Sequence, residues 1–179
     1  MNIVLIGFMG TGKSAVGRTA ARLAGLRHLD TDSEIERLCG RTIPAIFAED
    51  GEAAFRTQET SLLESLLPAA VGADGLILST GGGTPLNPKN AALLKQIGTV
   101  VWLRVESSAL LGRVMHSLHE RPLLAAHSQD PLGRIQSLLA EREPHYAALA
   151  DLVLDTSDCE SREESAQRLM ELLALPLAL

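Results

Sequence analysis

The sequence predicts an α/β fold with a mainly parallel sheet, and three observations carry that reading. Short apolar runs alternate with segments of helical period along the chain, the pattern of strands joined by crossover helices. The first apolar run passes through "GFMGTGKS", residues 7–14, directly into a helical segment. The 179 residues suit a single domain, 1–179, and 46% apolar residues are enough to build a real core.

Each element follows from local chemistry. Residues 2–6 form an apolar run bounded by glycine, as a buried parallel strand does. "KSAVGRTAARLAG" reads as a helix, with Val16, Ala20 and Leu23 at helical spacing and Gly25 as its stop. "LRHLD" is a second strand. "SEIERLCG" is a helix ending at Gly40, and in "TIPAIFAEDG" Pro44 opens a short helix that Gly51 closes. A longer helix runs from about Glu52 to Leu67. "GLILSTGGG" is a strand entering a glycine loop, "NPKNAALLKQIG" a helix and "TVVWLRV" a strand. "SSALLGRVMHSL" reads as a helix and "HERPLLAAHSQDP" as a polar connection. Asp130 and Pro131 are the N-cap and first residue of the helix "LGRIQSLLAERE". "DLVLDT" is a fifth strand, and Ser161 with Glu164 makes a capping box for the last helix.

Gly7, four intervening residues, then Gly12, Lys13 and Ser14 form the phosphate-binding P-loop pattern. Glycines let backbone N–H groups turn inward and approach a polyphosphate, and the following helix aims its positive end at the same charge. Lys13 can reach the β and γ phosphates, and the Ser14 hydroxyl can join a Mg²⁺ ion. A plain glycine turn has no use for Lys13, so the segment predicts nucleoside triphosphate binding.

Ligands of parallel sheets sit at the carboxyl ends of strands. Three segments fall there: residues 7–14, "DTD" at 30–32 and "GGG" at 81–83. In an extended segment Asp30 and Asp32 face one side and could serve Mg²⁺ and a substrate hydroxyl, although Asp32 or Ser33 as a simple helix cap is an equal reading. Three successive glycines cost backbone entropy that a turn does not require, and imply close approach of a ligand. Arg56, Arg113, Arg121 and Arg142 are ordinarily solvated salt-bridge partners, and only their placement gives them meaning. His116 and His119 are three apart, but no third ligand of convincing spacing supports zinc.

A net charge of −6 argues against a general nucleic-acid binder, and 3% aromatic residues against a base-stacking platform. Cys39 and Cys159 form no CxxC, no leader-like run precedes the first strand, and no apolar run approaches membrane-spanning length. The expectation is a soluble protein of a reduced, cytoplasmic compartment, without repeats or a membrane anchor, and a monomer.

Taken together, "GFMGTGKS", "LDTD", "GEAAFR", "STGGG", "RPLL" and "EREPHY" resemble the shikimate kinase family in order and spacing, from residue 3 to about residue 156. The resemblance implies a three-layer α/β/α P-loop fold of the nucleoside monophosphate kinase type with a five-stranded parallel sheet. It divides the chain into a nucleotide-binding core (1–30, 68–112 and 131–179), a substrate-binding helical region (31–67) and a lid (113–130). The implied reaction moves the γ-phosphoryl group of ATP to the 3-hydroxyl of shikimate, on the route to chorismate and the aromatic amino acids. By resemblance, Gly10, Thr11, Gly12, Lys13, Ser14 and Ala15 hold the phosphates, and Ser14 and Asp30 hold Mg²⁺. Asp32 contacts the substrate hydroxyls and is the candidate base. Arg56 and Arg142 clamp the carboxylate, and Gly81, Gly82 and Gly83 border the substrate. Arg121 is the lid arginine that reaches the phosphoryl group, and Arg113 covers adenine. The partners implied are shikimate and ATP.

Three positions depart from the family pattern. Ala15 replaces a common second hydroxyl, Thr84 stands where a smaller residue is usual, and "AAHSQDP" has no counterpart. The competing readings are a kinase of another polyol acid such as gluconate, a nucleoside monophosphate kinase, and an inactive ATP-binding paralogue or nucleotide switch. The carboxylates of "DTD" disfavour a phosphate-bearing acceptor, "NPKN" is no guanine reader, and Asp32, Arg121 and Arg142 favour an active enzyme.

Overall fold

The computed structural model describes residues 1–71, 75–110 and 130–176. Five strands form one parallel sheet: β1 (Ile3–Ile6), β2 (Arg27–Asp30), β3 (Leu76–Ser79), β4 (Thr99–Arg104) and β5 (Leu152–Asp155). Their order is β2-β3-β1-β4-β5, with Ile3 opposite both Ile77 and Thr99 and Val101 opposite Leu152. The described helices are α1 (Lys13–Ala24), α2 (Thr31–Cys39), α3 (Ile43–Glu49), α4 (Gly51–Val71), α5 (Pro88–Ile97), α6 (Pro131–Leu149) and α7 (Arg162–Leu172).

Alternation along β1 builds the three layers. Ile3 and Leu5 point to a cluster with Val16 and Ala20 of α1 and Ala166 and Leu169 of α7. Val4 and Ile6 point to the opposite cluster, with Leu63 of α4, Leu94 of α5 and Leu138 and Tyr146 of α6. The sheet is therefore covered on both faces, as a parallel sheet must be. A third cluster of Ile35, Ile46, Phe55 and Leu62 packs α2, α3 and α4 into a separate helical layer beyond the β2 edge. Two predicted stops appear, Gly25 and Gly40 ending α1 and α2 in the left-handed conformation, but the third does not: α3 ends at Glu49 with Asp50 as its cap, and Gly51, at φ 82°, opens α4.

Several boundaries differ from the sequence reading. The helix expected to end at Leu67 continues past Pro68 to Val71. Burial of Ala70, and a hydrogen bond from Asn2 Nδ2 to the Ala70 carbonyl at 2.7 Å, hold a last turn that proline alone would discourage. The helix expected to end at Glu143 likewise continues through Pro144 to Leu149, because Tyr146 and Leu149 belong to the core. The second helix begins at Thr31, with Asp30 as its cap in place of Asp32 or Ser33. Ser161 caps α7 by accepting from Glu164 N at 3.1 Å, but the Glu164 carboxylate accepts from Glu160 N, one residue before the position a capping box requires. Arg113, Arg121, His116, His119 and nearly all of the expected lid lie outside the described residues.

Candidate functional site

The loop between β1 and α1 depends on glycine geometry. Gly7, Gly10 and Gly12 have φ of 143°, 84° and 92°, values that side-chain-bearing residues rarely adopt. Gly12 is the N-cap of α1 and supplies no side-chain acceptor, whereas side chains cap α2, α3, α5, α6 and α7. No side chain caps the start of α1, so the N-terminal amides there, which include those of Ser14 and Ala15, face the position of an external anion. Lys13 is only 7% exposed, and its Nζ donates to the carbonyls of Gly7 at 2.9 Å and Phe8 at 2.8 Å. The ammonium is already folded over the loop. Thr11 Oγ1 also donates to the Phe8 carbonyl, at 2.9 Å.

A cavity of about 220 Å³ lies against this loop, between Gly10, Thr11 and Gly12 and the segment from Cys159 in the β5–α7 turn to Arg162 at the start of α7. It extends the loop on the side of α7.

At the end of β2 the two acids of "DTD" take different roles. Asp30 Oδ1 accepts from Ser33 N at 3.0 Å and caps α2. The helix starting at Thr31 breaks the extended register, so Asp32 is placed by the first turn of α2. Asp32 Oδ1 is buried without a hydrogen-bond partner. Burial pushes the Asp32 carboxyl up to about 6, the carboxylates of Asp30 and Glu59 push the same way, and Lys13 and Arg56 oppose them.

The three glycines after β3 each make room for a different part. A side chain on Gly81 would stand 2.7 Å from Asp32 Oδ1, and one on Gly82 would stand 3.2 Å from the Met9 backbone nitrogen of the P-loop. On Gly83 it would lie 2.7 Å from both terminal nitrogens of Arg56. The loop is itself anchored, by Gly81 N donating to Thr31 Oγ1 at 3.0 Å and by Tyr146 Oη donating to the Gly82 carbonyl at 2.6 Å. Burial pushes the Tyr146 phenol up to about 12, so it stays a donor.

These residues surround a cavity of about 540 Å³. Asp32, Arg56, Glu59, Arg142 and the glycines supply its polar wall, and Phe47, Phe55 and Ile43 an apolar one. Arg56 lies on α4, where Nη1 donates to Glu59 Oε2 at 2.7 Å and Nη2 to Glu52 Oε1 at 2.8 Å. Arg142 lies on α6, 5% exposed, with its guanidinium 5.5 Å from the centre of the Phe8 ring and its Nε without a partner. Two arginine forks suit a carboxylate, and an unpartnered carboxylate suits hydroxyls. The cavity is therefore shaped for a small hydroxy acid.

A divalent cation with a triphosphate also fits the loop. The Ser14 hydroxyl is exposed on the first turn of α1, and Asp30 uses one carboxylate oxygen for its cap. No cluster of three or more His, Cys, Asp or Glu exists among the described residues to enclose a metal. A cation that keeps waters and phosphate oxygens in its shell, as Mg²⁺ does, needs only one or two protein oxygens of the kind Ser14 and Asp30 offer.

Thus Lys13, Ser14, Asp30, Asp32, Arg56, Gly81 to Gly83 and Arg142 converge at the carboxyl ends of β1, β2 and β3. Sequence reasoning missed Glu59, the Phe8 ring, Tyr146 and the Cys159–Arg162 wall. Glu59 had one signal, its position one helical turn after Arg56.

Comparisons with known proteins agree in one direction. The family model described as shikimate kinase matches residues 9–174. The shikimate kinase of Halorhodospira halophila is 44% identical over 96% of this chain and 92% of its own. That of Symbiobacterium thermophilum is 42% identical over 97% of this chain and 96% of its own. The solved structure of shikimate kinase from Acinetobacter baumannii in complex with shikimate superposes with a TM-score of 0.84 at 38% identity, covering 99% of this chain and 95% of that one.

Proposed function

The chain belongs to the shikimate kinase family, whose members phosphorylate shikimate with ATP, and we propose that its acceptor is the 3-hydroxyl and that the two cavities divide the substrates. The cavity of about 540 Å³ takes shikimate, and the P-loop with the smaller cavity takes ATP. The observation that carries this reading is the unpartnered Asp32 Oδ1, set beside two arginines in a cavity that borders the P-loop backbone.

Arg56 and Arg142 hold the substrate carboxylate, which orients the ring in one direction. Asp32 accepts hydrogen bonds from the hydroxyls at the other end. As the acceptor oxygen bonds to the γ-phosphorus and the bond to the β–γ bridging oxygen breaks, the hydroxyl proton passes to the Asp32 carboxylate. Lys13 exchanges the carbonyls of Gly7 and Phe8 for phosphate oxygens, joined by backbone amides from Gly10 to Ala15. Ser14 and Asp30 would hold Mg²⁺, which when bound neutralises phosphate charge.

In this scheme residues 31–67 form the acceptor region and 113–130 a lid that excludes water. Arg121 reaches the phosphoryl group and Arg113 the adenine. The product would feed the making of chorismate and the aromatic amino acids. The described helices include none long and apolar enough to cross a membrane, and a cytoplasmic location and a monomeric state are part of the same proposal.

The test is ADP release with Mg²⁺ and ATP, in the presence of shikimate, gluconate or AMP. Stimulation by shikimate alone, abolished by Asp32→Asn and Arg142→Ala, is the expected result. Stimulation by gluconate instead, or ATP binding without stimulation by any acceptor, would overturn the assignment.

A further inference from the structure

Thr84 begins the short 3₁₀ turn Thr84–Leu86 after the glycines and is almost fully buried. The turn itself does not need a hydroxyl. Backbone bonds build it, from Thr84 N to the Gly81 carbonyl at 3.2 Å and from Leu86 N to the Gly83 carbonyl at 3.1 Å. The hydroxyl donates instead to Oε1 of Glu59, whose side chain is 0% exposed.

Glu59 thereby uses its two oxygens for different tasks. Oε1 takes the Thr84 proton, and Oε2 takes Nη1 of Arg56 at 2.7 Å. Glu52, half exposed, holds the same guanidinium through Nε at 3.2 Å and Nη2 at 2.8 Å. Glu59 Oε1 also lies in the crowded space that Gly81 leaves vacant. A side chain at Gly81 would stand 3.1 Å from Glu59 Oε1, 3.0 Å from Thr84 Oγ1 and 2.7 Å from Asp32 Oδ1. Two carboxylate oxygens that share such a space repel each other, and a hydroxyl proton donated to one of them reduces that repulsion.

If the hydroxyl is removed, Glu59 Oε1 becomes a buried acceptor without a donor. The nearest remedy is for Glu59 to rotate and engage Arg56 with both oxygens, since a guanidinium accepts a carboxylate in bidentate geometry. That rotation would draw the guanidinium away from Gly83 and from the cavity.

We propose that Thr84 is a positioning residue of the acceptor site, its hydroxyl fixing Glu59 so that Arg56 stays over Gly83 and keeps donors available to the substrate carboxylate. This rests on the reading of the cavity as the shikimate site, and the experiment separates the two.

Thr84→Val keeps the shape and removes the hydroxyl, and Thr84→Ser keeps the hydroxyl. Steady-state constants for shikimate and ATP are measured for both, and for Arg56→Ala, together with melting temperatures. Thr84→Val is expected to raise the shikimate KM about tenfold and leave the ATP KM within about twofold, with Thr84→Ser close to wild type. An unchanged shikimate KM in Thr84→Val overturns the proposal. So does a parallel rise of both KM values with a lower melting temperature, or a Thr84→Ser as impaired as Thr84→Val. If Thr84→Val does not fold, Thr84→Ala against Thr84→Ser makes the same comparison. A normal shikimate KM in Arg56→Ala would mean that the reading of the cavity has failed. A raised one beside a normal Thr84→Val would mean that only the Thr84 proposal has.

Discussion

Replacing Gly83 with alanine should damage acceptor binding without damaging the fold. The added Cβ would stand 2.7 Å from both terminal nitrogens of Arg56 and 2.9 Å from Cζ. Ordinary contact begins near 3.4 Å, so the guanidinium must retreat by about 0.7 Å. The backbone does not resist the change, because Gly83 has φ −93°, which alanine adopts freely. What moves is the flexible end of a long side chain, so the stability loss should stay below about 1 kcal/mol. Binding is another matter. Charge-assisted hydrogen bonds contribute about 1.5–3 kcal/mol, and a displacement of this size forfeits a large part of that. The shikimate KM should rise at least about tenfold, with the ATP KM within about twofold. Gly40→Ala is the control: its φ of 65° is strained for alanine, but a Cβ there meets nothing within 4 Å. It should lose about 1 kcal/mol of stability in urea unfolding and bind shikimate normally. A shikimate KM for Gly83→Ala within twofold of wild type would refute the clearance argument.

Three further perturbations follow from the same geometry. The folded state raises Asp32 from 3.8 to about 6, so it holds that proton more tightly than the unfolded chain, and this contribution to stability falls as pH rises through that interval. Asp32→Asn should therefore unfold at higher urea than wild type at pH 7.5, lose the advantage by pH 4, and cut shikimate-dependent ADP release about 100-fold or more; a lower midpoint at pH 7.5 counts against it. His28 is lowered from 6.5 chiefly by burial, so its effect runs the other way: stability present above pH 6.5 is lost as pH falls. The drop in urea midpoint between pH 7.5 and 5.5 should be smaller in His28→Gln, and an equal drop would exclude His28 as a cause. Phe8→Leu removes the aromatic face under Arg142 and should raise the shikimate KM about fivefold, the equivalent of about 1 kcal/mol, at unchanged ATP KM.

How much of this was legible in the sequence differs by residue. The P-loop was readable because its requirements are local: positive φ at Gly10 and Gly12 and a lysine beside them. The order of strands and helices was readable for the same reason, from period and punctuation. Both helices that run past their expected ends do so through proline, at 68 and 144, and in both a tertiary contact overrode a local rule. Ala70 and Asn2 hold one last turn, and Tyr146 and Leu149 the other. The roles of "DTD" were half legible. Alternation placed two acids together, but whether the helix began at Thr31 or Ser33 decided which of them became the cap. Tyr146 was not legible and Glu59 only as a neighbour one turn after Arg56, since a glutamate on a helix and a tyrosine after a proline acquire meaning only from what the glycine loop brings against them.

The glycine loop also explains the direction in which the acceptor must lie. Its three members face, in chain order, Asp32, the P-loop backbone and Arg56. Asp32 feels Arg56 and Glu59 as well as Lys13 and Asp30, and in the reading proposed above its carboxylate meets the hydroxyls that face the phosphate. Arg56 lies against Gly83, at the other end of the glycine loop from the Asp32 contact with Gly81. In the proposed reading, a substrate whose carboxylate sits with the arginines presents its hydroxyls towards Asp32, and the reverse orientation would set a carboxylate against Asp32. That reverse pose pairs like charges where Asp32 is already pushed up by two neighbouring carboxylates, and leaves the arginine forks with neutral hydroxyls. Discrimination by orientation thus requires no contact with the reacting hydroxyl beyond Asp32. In that reading it comes from setting a carboxylate and two guanidinium groups around one cavity, with three residues without side chains leaving room for each.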